Sequence, residues 1–395
     1  MNFTFSIPQN IVFGAGSLTK LPEEAIKLGK KKALIISGPH LEKIGLVGKC
    51  SDTLKEAGIE SVSFCKTEAN PSVETVEAAA ELFSKTSADF IVAFGGGSPL
   101  DVAKAVAVLA SYGGKITDYE GAGKVPGQVV PMIAIPTTAG TGSEVTAFSV
   151  ITDHSRNYKL TVASNYLLPA VAILDPELIY TVPESTAAAC GIDAMIHALE
   201  SYLSKAASPF SEMCSLRSLE LIGSSIIKYA ADRQDKKSAE NMMLGSLFAG
   251  IAFSHARLGN VHAMSHPVSA FFNVPHGVAN AILLPKVVEF NEGAVDNPDL
   301  WKKYFQIYRC VCKEPVPEEK FLPSMLKGEL KALNAKLKIP GSLKEAGITE
   351  ESFSKVLEQM TDDAMKSGNI AVNPRKTERS DILKLYKETF QEKSL

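Results

Sequence analysis

The sequence predicts two domains of different class: a doubly wound, Rossmann-like α/β domain with a parallel sheet over residues 1–180, and an all-α domain over residues 181–395. Three observations predict it. A chain of 395 residues exceeds what one ordinary core organises. Its first half alternates short apolar or β-branched runs with stretches of helical periodicity, as strands covered on both faces by helices require. Beyond Asp175 and Pro176 the strand signals stop, and residues rich in Ala, Leu, Met and Ser recur at helical spacing.

Strands are expected over residues 33–36, 61–64, 90–94, 132–135 and 171–174, short runs built around Val, Ile, Leu or Phe. Between them, residues 73–85 place apolar side chains at helical spacing, and residues 101–110 do so after a glycine turn. Gly14, Gly16 and Ser17 have the look of a dinucleotide fingerprint. The third glycine is missing and Pro22 follows, so a plain strand-to-helix turn is expected there. Pro183 suits the first turn of a helix, where a missing N–H costs nothing. Helices are expected from there to about residue 275. The Lys/Glu-rich stretch 313–338 reads as a solvated helical surface.

Composition narrows the function. A net charge of -3 with no Lys/Arg-rich run leaves no electrostatic footprint for nucleic acid, so a small-molecule substrate is expected. The N-terminus has no basic stretch followed by a long apolar one, and no apolar run of about twenty residues occurs. A cytoplasmic enzyme without membrane contact is expected. The six cysteines, at 50, 65, 190, 214, 310 and 312, follow no zinc-ribbon spacing and read as free thiols, Cys190 as a small apolar residue in a helix.

Two loops have the composition to hold a nucleotide. The strand at 90–94 runs into Gly95, Gly96, Gly97, Ser98, Pro99, Leu100 and Asp101, after which a helix begins. Glycines let backbone N–H groups approach an anion, and the helix N-terminus adds the positive end of its dipole, so a pyrophosphate suits this turn. The second loop, residues 136–144, offers the hydroxyls of Thr137, Thr138 and Thr141 to a ribose or nicotinamide, although Ser/Thr-rich turns also occur without ligands.

Asp193 and His197 stand at i and i+4 on one helical face. His262 and His266 repeat that spacing, and His276 follows. One carboxylate with three imidazoles suits a borderline divalent ion such as Fe(II) or Zn(II), with a coordination position left for substrate. Donor type alone does not choose between the two.

With these motifs in this order, the chain resembles the iron-containing (group III) alcohol dehydrogenases over nearly its whole length. The resemblance rests on Gly95 to Asp101, the loop 136–144, the run from Gly191 to His197, and the block from His262 to His276. It implies the two-domain architecture shared with dehydroquinate synthase, with Asp193, His197, His262 and His276 as metal ligands. His266 would stand beside the nicotinamide and substrate and act in catalysis. Gly95, Gly96, Gly97, Ser98 and Asp101 would serve the pyrophosphate loop, and Thr137, Thr138 and Thr141 would line the cofactor groove. The implied reaction is hydride transfer between NAD or NADP and a small primary alcohol or aldehyde, run as aldehyde reduction, with Fe(II) before Zn(II) as the metal. A homodimer joined through an N-terminal strand is also implied, and the alternation of Phe3, Phe5 and Ile7 would suit it.

Departures from the family pattern bear on specificity. Gly38 stands where NAD-preferring relatives carry an aspartate, which points to dual cofactor use or NADPH. Arg257 stands where many relatives have glycine; with Phe253 it is expected to face substrate, and its guanidinium would bind an anionic aldehyde with help from His255 and Asn260. The other reading of Arg257 is a structural ion pair or helix cap. Residues 367–375 are expected to reshape the pocket. The rival function is a cyclising lyase resembling dehydroquinate synthase, whose pattern uses a glutamate and two histidines; Asp193 and the longer histidine block favour the dehydrogenase. A binding protein without catalysis would leave His266 unexplained.

Overall fold

The computed structural model describes residues 3–7, 10–156, 158–294 and 297–391. It divides into two compact units, Ser6–Thr181 and Val182–Leu395, with residues 3–5 belonging to the second.

The first unit is built on a six-stranded sheet. Its strands are β1 (Asn10–Phe13), β2 (Lys32–Ile36), β3 (Glu60–Phe64), β4 (Phe90–Gly95), β6 (Met132–Pro136) and β9 (Val171–Leu174), all parallel, in the order β1-β9-β6-β4-β2-β3. A smaller sheet joins β5 (Gly121–Ala122), β7 (Phe148–Asp153) and β8 (Tyr158–Ala163). Both faces of the large sheet are apolar, because side chains alternate across it and helices cover both sides. Ala33, Ile35, Phe90, Val92, Ile133 and Ile135 pack toward α1 (Leu21–Lys27), α2 (Pro39–Lys43) and α3 (Leu46–Glu56). Leu34, Ile36, Ile91, Ala93 and Ala134 pack toward α4 (Val73–Thr86) and α5 (Gly97–Tyr112).

Each strand expected from the sequence is present; β1, β5, β7 and β8 add to them. The β7–β8 hairpin buries only alternate residues, such as Ile151 and Leu160, so its sequence lacks the continuous apolar run that marks the central strands. The glycines at 14 and 16 form a strand-to-helix turn, whose N–H groups at Gly16 and Leu18 donate to Asp175.

Strand order determines where a ligand can lie. The chain leaves β2 toward β3 on one side, and leaves β4 toward β6 on the other. The carboxyl ends of β2 and β4 therefore flank the crevice at which open α/β sheets take their ligands. Gly38 follows one of these ends and Gly96 the other.

The second unit is helical. It comprises α6 (Glu184–Leu203), α7 (Pro209–Ala231), α8 (Lys236–Ala256), α9 (Asn260–Phe272), α10 (His276–Glu292), α11 (Pro298–Val311), α12 (Pro323–Lys336), α13 (Glu350–Met365) and α14 (Arg379–Gln391). Pro183 is the residue just before α6, and proline opens α7, α11 and α12. The stretch 313–338 is more than a solvated surface: α12 buries Leu326, Leu330 and Leu333, and Asn334 donates to the Ala281 carbonyl of α10. Residues 3–7 form no strand; Phe5 stacks on Phe210 and His255.

Candidate metal centre and cofactor loops

The histidine-bearing helices approach closely enough to share one point. α6 is buried almost all round because α7, α8 and α10 pack against it. A Cβ on Gly277 would lie 2.1 Å from the Ala189 carbonyl oxygen, so only glycine lets the first turn of α10 rest on the backbone of α6. That contact brings His276 beside Asp193. The donor atoms of Asp193, His262 and His276 all lie within 4.8 Å of one another.

Asn280, one turn beyond His276, marks where these donors converge. Its amide nitrogen is 2.6 Å from Asp193 Oδ1, 3.0 Å from His262 Nε2 and 3.1 Å from His276 Nε2, while its own Oδ1 is buried without a hydrogen-bond partner. A positively polarised group is thus shared by a carboxylate and two imidazoles, the donor set that a borderline divalent cation takes. The residues present fit such an ion.

Burial opposes the charge on Asp193, but the pull of His197 and His276, with the hydrogen bond and charge of His262, holds its carboxyl well below the usual carboxylate range. Burial also opposes a charged His262; hydrogen bonds to Asp193 and Glu200 outweigh it and push that imidazole up to about 9. A proton and the Asn280 amide therefore compete for one Nε2 lone pair, which is also the pair a cation would use.

The other predicted ligands are arranged differently. His197 stands outside the converging three: its ring lies between Phe253 and His262, with centroids 4.4 and 4.6 Å away. Phe253 is half-buried and packs on this histidine. His266 is half-buried and stacks on His276 at 5.2 Å.

Arg257 ends α8 with φ 59° and ψ -170°, a conformation nearly confined to glycine. Its side chain is exposed; Nη1 lies 3.5 Å from the Gly368 carbonyl, and no carboxylate of the described residues is within ion-pair distance. Its expected helpers are engaged elsewhere. His255 stacks on Phe5, and Asn260 is buried with its amide donating to Thr377.

In the α/β unit, the loops expected to hold a nucleotide lie against each other. Gly96, Gly97 and Ser98 are the partly exposed residues where β4 gives way to α5. A Cβ on Gly97 would stand 2.8 Å from Thr141 Cγ2, and one on Gly96 would stand 3.3 Å from Thr138 Oγ1. Thr137 N donates to the Gly95 carbonyl at 2.9 Å. Asp101 is committed inside the protein, accepting from Ser143 Oγ at 2.7 Å and Val150 N at 3.1 Å. It serves the loops by tying them to α5.

Lys104, fully buried, does the same through Ser143, Thr146 and the Phe148 carbonyl. Burial lowers Lys104 to about 8 against the attraction of Asp101 and Glu144, and burial raises Glu144 to about 7. Gly38 caps α2, and a Cβ there would meet the Thr67 carbonyl at 3.3 Å.

Comparison with known proteins agrees with both halves of this arrangement. Residues 8–176 match the family model described as iron-containing alcohol dehydrogenase, and residues 187–390 match that of the Fe-containing alcohol dehydrogenase family, C-terminal. The chain belongs to the iron-containing alcohol dehydrogenase family. Among relatives of this alcohol dehydrogenase, the NADPH-dependent butanol dehydrogenase of Clostridium saccharobutylicum is 37% identical over 97% of this chain and 96% of that protein. A solved 1,3-propanediol oxidoreductase superposes with a TM-score of 0.92 at 33% identity, over 99% of this chain and 100% of that one. Sulfoacetaldehyde reductase from Bifidobacterium kashiwanohense, in complex with NAD+, gives 0.87 at 27% identity over 100% of both chains. The lyase reading gives way to this membership: the chain is an oxidoreductase of the family.

Three buried residues beside the candidate metal and cofactor groups, Asn280, Glu200 and Lys104, are given no role by the sequence reading. Asn280 follows His276 by the same i+4 spacing that paired the histidines, which was a usable signal. Glu200 and Lys104 gave none, because a charged residue in an apolar helix becomes informative only when its burial is seen.

Proposed function

We propose that this alcohol dehydrogenase reduces small aldehydes to primary alcohols with NADPH or NADH, using a divalent metal held by Asp193, His262 and His276, with His197 as a fourth ligand. Fe(II) comes before Zn(II). The convergence of the three donor groups within 4.8 Å carries this reading. A metal bound there supplies Lewis acidity, which polarises an aldehyde carbonyl and, in reverse, stabilises an alkoxide at neutral pH. Asp193 contributes the negative charge, and His262 and His276 contribute neutral nitrogen donors. His266 passes the product's proton from solvent, a task to which imidazole is suited.

Gly96, Gly97 and Ser98 hold the cofactor pyrophosphate on the N-terminus of α5, and Thr138 and Thr141 line the same groove. Gly38 lacks the carboxylate that would repel a 2′-phosphate, so NADPH is accepted. Relatives that use NADPH and bind NAD+ support a family in which both occur. The test is to strip metal from the protein, reload it anaerobically with Fe(II) or Zn(II), and follow NADPH and NADH oxidation with propanal and butanal. Rate should return with metal. A metal-free protein at full rate, or no NADPH oxidation, would sink the corresponding part.

A second reading concerns substrate charge. Arg257 follows Phe253 by one turn, its guanidinium is exposed and without a carboxylate among the described residues, and it holds a backbone conformation suited to glycine. Such strain persists where function requires it. The reading is that Arg257 binds the anionic group of a short acidic aldehyde, and similarity to a sulfoacetaldehyde reductase supports it.

The protein is also proposed to be a cytoplasmic homodimer. Phe3, Phe210 and Met213 are 48, 47 and 62% exposed, an apolar patch suited to a second copy. The six cysteines form no disulfide, which fits a reducing compartment, and no described helix is long and apolar enough to cross a membrane. A monomeric mass by light scattering would remove the dimer.

A further inference from the structure

Glu200 has no part in the chemistry above, yet it is buried beside a proposed ligand. It lies on α6, three residues beyond His197, with 5% of its surface exposed. Burying a carboxylate is costly unless donors match its charge, and no Lys or Arg of the described residues does so. The donors are three N–H groups at the start of α9: Val261 N at 2.7 Å, His262 N at 3.3 Å and His262 Nδ1 at 2.6 Å. The first two are groups that a helix N-terminus leaves unpaired, where the helix dipole also favours negative charge. There is no slack in the fit. A Cβ on Gly259 would stand 2.9 Å from Glu200 Oε1 and 3.0 Å from Asn373 Oδ1, so glycine there is what lets the carboxylate reach the helix end.

The third donor makes Glu200 more than a helix cap. An ionised carboxylate only accepts, so the ring nitrogen facing it keeps its proton. With Nδ1 so occupied, Nε2 carries the lone pair that His262 can offer to a cation. Nε2 is also the atom that faces Asp193 Oδ1, at 3.6 Å, and its backbone is held by the same carboxylate. We infer that Glu200 is a positioning residue for the metal centre: it locks His262 in the Nδ1–H form and aims Nε2 at the point shared with Asp193 and His276. This rests on the reading of those three residues as metal ligands. Carboxylates behind ligating imidazoles orient them and raise their basicity, and losing one costs roughly 10–100-fold in metal affinity.

Glu200→Gln tests the inference, because an amide cannot accept from all three donors at once. Metal-free E200Q should unfold as cooperatively as the parent, while its Kd for Zn(II), measured by chelator competition, rises about 10–100-fold. The visible absorption of the Co(II)-loaded protein should shift, and Glu200→Asp should restore part of both. His276→Ala is the reference. If H276A binds metal like the parent, the ligand assignment has failed. If H276A loses metal while E200Q keeps parental affinity and spectrum, Glu200 is a helix cap only and the inference is overturned. Should E200Q not fold, the ring N–H proton of His262 in the ¹⁵N-histidine-labelled, Zn(II)-loaded parent decides: a far-downfield, slowly exchanging Nδ1 proton held by a carboxylate upholds the inference, and one that exchanges freely with solvent overturns it.

Discussion

The α/β unit and the helical unit carry their proposed functional groups on different parts of the chain. At the ends of β2 and β4 the useful groups are backbone N–H and small hydroxyls, on loops packed so closely that a single Cβ at Gly97 would stand 2.8 Å from Thr141. Around Asp193 the useful groups are long side chains set on rigid helices at i and i+4. Substitution in the first region is limited by space, and in the second by chemistry. The two regions should therefore fail in different ways.

The largest effect is expected at His276. Replacing it by Ala removes a proposed direct donor and should cost more than the roughly 100-fold in metal affinity that losing a supporting carboxylate can cost. Turnover should be lost with the metal. Cofactor affinity, read from NADPH fluorescence, should stay within about two-fold, since the α/β unit is untouched. A joint loss of metal and cofactor binding would mean that the two regions are not separable.

Gly97→Ala is the converse experiment. The methyl group must push apart two loops that Lys104 and Asp101 tie to α5, an overpacking that typically costs 1–3 kcal/mol. KM for the cofactor should rise about ten-fold, the equivalent of 1.4 kcal/mol, with bound metal unchanged. Unaltered cofactor KM would show that the loops have room the packing does not reveal.

The same contrast explains what could be read from the sequence. Buried parallel strands such as β4 read as continuous apolar runs and helices such as α4 as 3.6-residue periodicity, so the central sheet and the alternation were legible. The glycine loop and the paired histidines were legible because both depend on spacing within one short segment. The β7–β8 hairpin was not, since half its residues face away from the core. Nor was the placement of His197 between Phe253 and His262, which depends on how α6, α8 and α9 pack. The commitment of Asp101 to Ser143 and Val150 is likewise a contact across more than forty positions that no local pattern announces.

Glu144 gives a smaller and pH-dependent effect. Burial raises it from 4.5 to about 7, so the folded chain holds a proton that the unfolded chain releases between those values. The stability this contributes is present below about pH 4.5 and lost as pH rises through 7, a swing of at most roughly 3 kcal/mol. Glu144→Gln has no such proton to lose. Thermal midpoints measured from pH 5 to 7.5 should fall less steeply in the variant than in the parent. Parallel curves would show that Glu144 stays ionised in the fold, with Lys104 as its partner.

The smallest expected change in stability, and the one of opposite sign, is at Arg257. With φ 59° and ψ -170° this residue sits where side chains are penalised by about 1–3 kcal/mol. Arg257→Gly should therefore raise the unfolding midpoint, offset in part by the greater entropy that glycine gives the unfolded chain. If the arginine is only a link to the Gly368 carbonyl, at 3.5 Å, stability rises and nothing else moves. If it binds substrate, the more stable variant should show a sharply raised KM for sulfoacetaldehyde while propanal reduction holds. A gain in stability with equal rates on both aldehydes would remove the anion reading. A loss of stability would mean that the guanidinium contributes more than its backbone costs.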